Sequence, residues 1–385
     1  MSDFLPYGRQ TVDDGDVAVV AEALREPMIT QGPRVDSFER AFAEYVHARH
    51  AVAFANGTAA LHGAAAAAGL GAGDEVLTTP VSFVASANCA LFVGARPVFA
   101  DVERASANLD LAAAVRSGLA GRAKACVAVS LAGLPIDLEP IQEARRGGLI
   151  VIEDACHALG GLRGGRPVGG DGLTDMTAFS FHPVKAMTSG EGGMVTTDSD
   201  ELADAMRTFR THGIRRREDP DDVLRGGWHY DIDTLGFNYR ITDFQCALGE
   251  HQLARIDGFI EARNQVARQY HERLDGVDGV EVPPEAPAGG RHGYHLFVVR
   301  FPEGAARRRS VYDHLRTAGI GTQLHYIPIP AHGLYRSLGY SMTELPEAQA
   351  YYEQALSLPM FPTMTADDVD RVVRELRRAL EAPLS

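Results

Sequence analysis

Between residues 51 and 197 the chain alternates between short apolar runs and longer alanine- or leucine-rich stretches. The runs HAVAFA, EVLTTP, RPVFADV, ACVAVSLAG, GLIVIEDA, MTAFSF and GGMVTTD each have the length of a buried strand. Continuous apolar strands separated by helices predict a mostly parallel sheet covered on both faces. In such sheets ligands bind beyond the carboxyl ends of the strands, where most of the unusual polar residues of this segment fall. The pattern then changes. Residues 214–236 are charged and contain glycine, so they read as a surface loop. Residues 242–267 read as one long helix. A Pro/Gly-rich connection over 278–291 precedes a strand, YHLFVVRF, a helix, RRRSVYDHLRTAGI, and a last amphipathic helix over 366–382. The expected organisation is a large α/β domain over 1–250 and a small α+β domain over 251–385.

Three polar constellations stand at the predicted strand ends. NGTAAL (56–61) follows a strand and opens a helix, which suits an anion through free N–H groups and the Thr58 hydroxyl; an ordinary capped turn fits equally well. VIEDACHALGG (151–161) sets Glu153, Asp154 and His157 just after the run LIVI. A carboxylate there caps a helix, holds a protonated ring nitrogen, or binds a metal. The absence of a partnering ligand cluster speaks against the metal. AFSFHPVKAMTSGEGGMVTT (178–197) carries Lys185.

Composition gives that lysine weight. Of 37 basic residues besides histidine only Lys124 and Lys185 are lysines, and the rest are arginines. A chain that uses arginine for surface charge, yet keeps a lysine in an apolar, glycine-flanked segment, implies an amine needed for its chemistry. A desolvated lysine becomes a nucleophile toward carbonyls. An anion cradle, an acid for a ring nitrogen and an isolated lysine together match the needs of pyridoxal 5'-phosphate (PLP). A net charge of −14 argues against nonspecific nucleic-acid binding. The N-terminal residues lack the pattern of a secretory signal, the most apolar run is a poor membrane span, and the four cysteines form no CxxC pair. A cytoplasmic protein with reduced thiols, no membrane partner and no metal is the expectation.

The motifs PYGRQTV, ITQGPRV, FANGTAALHGA, VIEDACHALGG, TAFSFHPVKAMTSGEGGMVTT, LGFNYRITDFQCALGEHQL and GTQLHYIPIP, in this order along nearly the whole chain, resemble the DegT/DnrJ/EryC1/StrS sugar aminotransferases. The resemblance implies the PLP-dependent type I fold of aspartate aminotransferase and a homodimer with shared active sites. It assigns Lys185 as the Schiff-base lysine and proton shuttle, Asp154 as partner of the pyridinium nitrogen, and His157 as neighbour of the phenolic oxygen. Phe83 would stack on the ring. Gly57, Thr58 and Ser180 would hold the phosphate, and Asn238 would reach the phosphate of the neighbouring subunit. Tyr7, Thr30, His182, Arg240, His325 and Tyr326 are candidate substrate contacts. Asn56 and Cys156 stand where the family often has serine and alanine. The FHPVK, TQGP and HYIPIP segments are most like the branch that moves an amino group from L-glutamate, leaving 2-oxoglutarate, to C4 of a UDP-4-keto-6-deoxy-N-acetylhexosamine. A TDP-3-keto sugar, a cyclitol ketone, a PLP-binding sensor without turnover, and an α/β protein binding another phosphate compound are the competing readings.

Overall fold

The computed structural model describes residues 4–215 and 228–384. All seven predicted runs are strands of one sheet: β1 (His50–Phe54), β2 (Glu75–Thr78), β3 (Arg96–Phe99), β4 (Ala125–Val129), β5 (Ile150–Asp154), β6 (Met176–Ser180) and β7 (Gly193–Thr197). Their order across the sheet is β1-β7-β6-β5-β4-β2-β3. Strands β6, β5, β4, β2 and β3 pair in parallel, and β7 runs antiparallel to both its neighbours.

Alternation along each strand explains why both faces are covered. Val52, Phe54, Val76, Val127, Ile152, Met176 and Ala178 pack against α3 (Gly57–Ala67), α4 (Ala85–Phe92) and α5 (Asp200–Phe209). The intervening Ala51, Ala53, Phe179 and Met194 pack against α2 (Pro33–Val46), which follows α1 (Asp14–Ala23), and against α6 (Asp243–Leu253). Small alanines on α3 let it lie close to the sheet, and Gly63 meets the Phe54 ring, which a Cβ there would approach to 2.5 Å.

A second core gathers around the antiparallel pair β8 (Phe297–Arg300) and β9 (Ala355–Leu358). Helices α7 (Ile256–Leu274), α8 (Ala305–Thr317) and α9 (Ala366–Glu381) cover it, and Leu5 joins from the N-terminal segment. The strand and two helices expected in this half are therefore present. Among the described residues no helix is long and apolar enough to cross a membrane.

Two expectations need correction. The helix expected over 242–267 is two helices, α6 and α7, separated at residues 254–255 without proline or glycine. Arg255 leaves the helical conformation (φ −113°, ψ 3°), and its guanidinium is held by Asp13 and Asp16 at the start of α1. A tertiary ion pair thus sets a boundary that local propensity would not. The surface loop expected over 214–236 contains an antiparallel pairing of Ile214–Arg215 with Asp231–Ile232, while 216–227 lie outside the described residues.

The turn after β1 is braced by β7. A Cβ on Gly193 would stand 2.5 Å from the Asn56 carbonyl oxygen and 2.9 Å from the Gly57 nitrogen. Backbone atoms there have little room to give. Gly193→Ala is expected to destabilise the fold by about 1–3 kcal/mol, read as a lower denaturant midpoint with an unchanged slope.

Candidate active site

A cavity of about 600 Å³ opens at the carboxyl ends of the parallel strands. Its lining brings together Gly57 and Thr58 from the start of α3, Phe83 before α4, Asp154 at the end of β5, Ser180 at the end of β6, and His157, His182 and Lys185 from the loops that follow. Tyr7, His325 and Tyr326 close it from the other side. Eleven of the fourteen residues expected at the site thus share one cavity. Thr30, Asn238 and Arg240 do not line it. Thr30 bridges to Thr242, Asn238 pairs with Thr211 and is exposed, and Arg240 borders a smaller cavity with Gln31, Asp36 and Arg210.

The anion cradle is a helix start. Asn56 caps α3, its side chain accepting from Ala59 N–H (2.8 Å) while its carbonyl accepts from Ala60 N–H (3.0 Å). The amides of Gly57 and Thr58 then have no acceptor within the helix, and the positive helix end faces the cavity. A Cβ on Gly57 would come within 2.8 Å of Ser180 Cβ and 3.4 Å of Cys156 Sγ. Only glycine leaves this cradle open for a group the size of a phosphate.

Asp154 and Glu153 leave β5 on opposite faces. Glu153 turns away from the cavity to Arg163 (2.8 Å) and Ser130. Asp154 turns toward it. Its Oδ2 accepts from Ser86 Oγ (2.6 Å), its Oδ1 accepts from Cys156 N–H (3.1 Å), and Ser82 Oγ lies 2.8 Å from Ser86 Oγ. Two donors and a seryl relay fix the carboxylate while leaving it able to accept another N–H.

His157 is locked from both sides. Ala132 N–H donates to its Nδ1 (3.2 Å), so the proton of the neutral ring is on Nε2, which faces the Tyr326 hydroxyl at 3.1 Å. Burial, with smaller contributions from Lys185 and His325, holds His157 well below the ordinary histidine range. His325, bonded through Nδ1 to Ser357 Oγ (2.7 Å), is pulled down to about 3 by burial and then by Lys185. Both rings are neutral at pH 7, and the Tyr326 phenol, raised by burial, keeps its proton.

Lys185 follows the turn His182–Lys185, closed by its own N–H donating to the His182 carbonyl (2.9 Å). Desolvation lowers its pKa from the usual lysine range, against a smaller opposite effect of Cys156 and Asp154. Phe83 is 56% exposed toward this space, an unusual setting for a large apolar ring. Ser82, Ser86, His295 and Tyr239 also belong to the site or its support, and sequence reading missed them. The spacing of Ser82 and Ser86, four apart at a helix start, was the one available signal. His295 was hidden in an alternating strand pattern.

Desolvation makes the protonated amine of Lys185 less favourable in the folded state than in the unfolded chain, and this gives stability a defined pH dependence. Because the folded pKa lies below the unfolded one, the unfolded chain binds the extra proton, and the penalty from Lys185 fades as pH rises through the interval between them. Lys185→Met is therefore expected to raise the thermal midpoint of the cofactor-free protein at pH 7, with a gain that shrinks toward the ordinary lysine range. Calorimetry at several pH values reads this directly.

Residues 10–377 match the model of the DegT/DnrJ/EryC1/StrS aminotransferase family. The chain is 38% identical over 379 residues to the spore coat polysaccharide biosynthesis protein SpsC of Bacillus subtilis, covering 97% of this chain and 96% of that one. Among solved structures, Spr1654 of Streptococcus pneumoniae, known in PLP and PMP forms, superposes with a TM-score of 0.91 at 26% identity, covering 98% of this chain and 99% of that one. PseC of Helicobacter pylori, an aminotransferase involved in pseudoaminic acid biosynthesis, superposes with a TM-score of 0.90 at 28% identity, covering 98% of this chain and 100% of that one. With these likenesses added to the lysine, the acid and the cradle in one cavity, the chain belongs to the DegT/DnrJ/EryC1/StrS family and is a PLP-dependent sugar aminotransferase of the type I fold.

Proposed function

We propose that this enzyme transfers the amino group of L-glutamate to C4 of a UDP-4-keto-6-deoxy-N-acetylhexosamine. The observation that carries the reading is the joining of Lys185, within the FHPVK segment, to His325 and Tyr326, within HYIPIP, across one cavity. These are the segments most like the C4-aminating branch. Support comes from the full-length likeness to PseC, and from SpsC, whose name places it in spore coat polysaccharide synthesis.

In this reading Gly57 and Thr58 amides, with the Thr58 and Ser180 hydroxyls, bind the cofactor phosphate. Asp154 would accept the ring N–H, Phe83 would cover the ring, and His157, with the Tyr326 hydroxyl fixed beside it, would stand near the phenolic oxygen. Bound PLP supplies an aldehyde and a protonated ring that accepts electrons. With the cofactor bound, Lys185 Nζ would take the Cα proton of glutamate and later return a proton to the sugar carbon. That double role needs an amine that is neutral near working pH, which the desolvation at Lys185 favours. The neutral imidazoles of His157 and His325 keep positive charge away from it. Tyr7 and His182, exposed to the same space, are in place to meet the sugar. Thr30, Asn238 and Arg240 do not line the cavity of their own chain, as expected of residues donated to a second subunit's site, so a homodimer with shared sites accompanies the reading. A cytoplasmic setting is part of the same proposal.

Glutamate added to the PLP-loaded protein is expected to convert the bound cofactor to its amino form, with 2-oxoglutarate released. The converted enzyme should then be discharged by the UDP-4-keto-6-deoxy-N-acetylhexosamine. Discharge only by a TDP-3-keto sugar or a cyclitol ketone would move the substrate assignment, and no response to glutamate would favour the sensor. Lys185→Ala is expected to lose about 10²–10⁴-fold in turnover. Mixing the inactive Lys185→Ala protein with an Asn238→Ala protein should restore activity through dimers that hold one intact site. Mixtures with no more activity than their components would rule out a shared site.

A further inference from the structure

Arg263, midway along α7, is 1% exposed. Its guanidinium donates to four backbone carbonyls: Nη1 to Met360 (3.1 Å), Tyr294 (3.2 Å) and His295 (3.4 Å), and Nη2 to Lys185 (3.4 Å). Among the described residues it forms no ion pair with a carboxylate, and its Nε is buried without a partner. An unpaired buried cation is costly, and a methionine or leucine would fill the same helix position without that cost. Arg307, the other deeply buried arginine of this half, differs. It is paired with Glu303 (3.1 Å) and caps the carbonyls of Ala379 and Ala382 at the end of α9.

The four carbonyls are not a random set. Lys185 and His295 line the cavity. Met360 N–H donates to the carbonyl of Tyr7, which also lines it. Tyr294 leads into His295, whose ring stands 4.3 Å from that of His157. The Lys185 peptide is thus gripped at its N–H by its own turn and at its C=O by a helix of the second core.

We propose that Arg263 is a positioning residue that couples α7 and the second core to the backbone of Lys185, so that the amine and the neighbouring His295–His157 pair stay in place. The charge has a further effect, because Arg263 adds to the burial, His157 and Lys185 in keeping His295 below the ordinary histidine range. The inference rests on the reading of Lys185 as the working amine only for its consequence in turnover.

The two-lysine composition makes the test clean. The cofactor-free full-length protein is treated with trinitrobenzenesulfonate across pH, and peptide mapping reports Lys185 and Lys124 separately. Lys124, 42% exposed and paired with Asp74 at 2.9 Å, is the internal reference. Arg263→Lys retains charge but lacks the planar fork that reaches four carbonyls. It is expected to loosen the Lys185 turn and move the modification midpoint of Lys185 up by about one pH unit, as a less desolvated amine requires. Lys124 should not move, and Arg307→Lys should move neither lysine. In the PLP-loaded enzyme, kcat of Arg263→Lys should fall about 10–100-fold with KM little changed. An unchanged Lys185 midpoint overturns the proposal. So does an Arg263→Lys protein that fails to fold while Arg307→Lys folds, since that marks a purely structural role. If the wild-type protein also ignores glutamate, the functional reading fails on its own, whatever the titration shows.

Discussion

Placing an amine in a partly dry cavity costs free energy unless the amine sheds its proton, and that cost shapes this active site. Lys185 sits where desolvation favours its neutral form, while Asp154 and Cys156 act weakly in the other direction. Had Asp154 formed a close ion pair with the lysine, the amine would stay charged and the carboxylate would be occupied. Ser86 and the Cys156 amide hold Asp154 instead. The neutral rings of His157 and His325 then complete a site with little positive charge beyond the helix start.

Sheet topology makes this arrangement possible. In a parallel sheet every carboxyl end lies on one edge, so residues from distant points of the chain converge without long loops. Asp154 ends β5, Ser180 ends β6, and Gly57 opens the helix after β1. The reversed strand β7 inserts between β1 and β6 and leaves no room for a side chain at Gly193, so the turn that opens α3 is braced by that strand. His325, bonded to Ser357 of β9, and Tyr326 close the cavity over that edge.

Much of this was legible in the sequence, for physical reasons. Buried strands announce themselves as apolar runs, and all seven did so. Lys185 stood out because arginine had displaced lysine nearly everywhere else. The polar residues at strand ends were visible because nothing in core packing demands them. What stayed hidden depends on contacts far apart in sequence. The break between α6 and α7 comes from Arg255 meeting Asp13 and Asp16. The spacing of Ser82 and Ser86 hints at a pair, but the role of Ser86 emerges only once Asp154 is placed beside it. Arg263 reads as a charge on an amphipathic helix, yet it is buried among carbonyls.

The central claim is that Lys185, and not the other lysine, is the amine that carries the cofactor. Borohydride reduction of the PLP-loaded protein, followed by digestion and mass mapping, tests it most directly. The account predicts a pyridoxyl group on the peptide containing Lys185 and an unmodified Lys124. A label on Lys124, or reduction that fixes no cofactor to the chain, would contradict it.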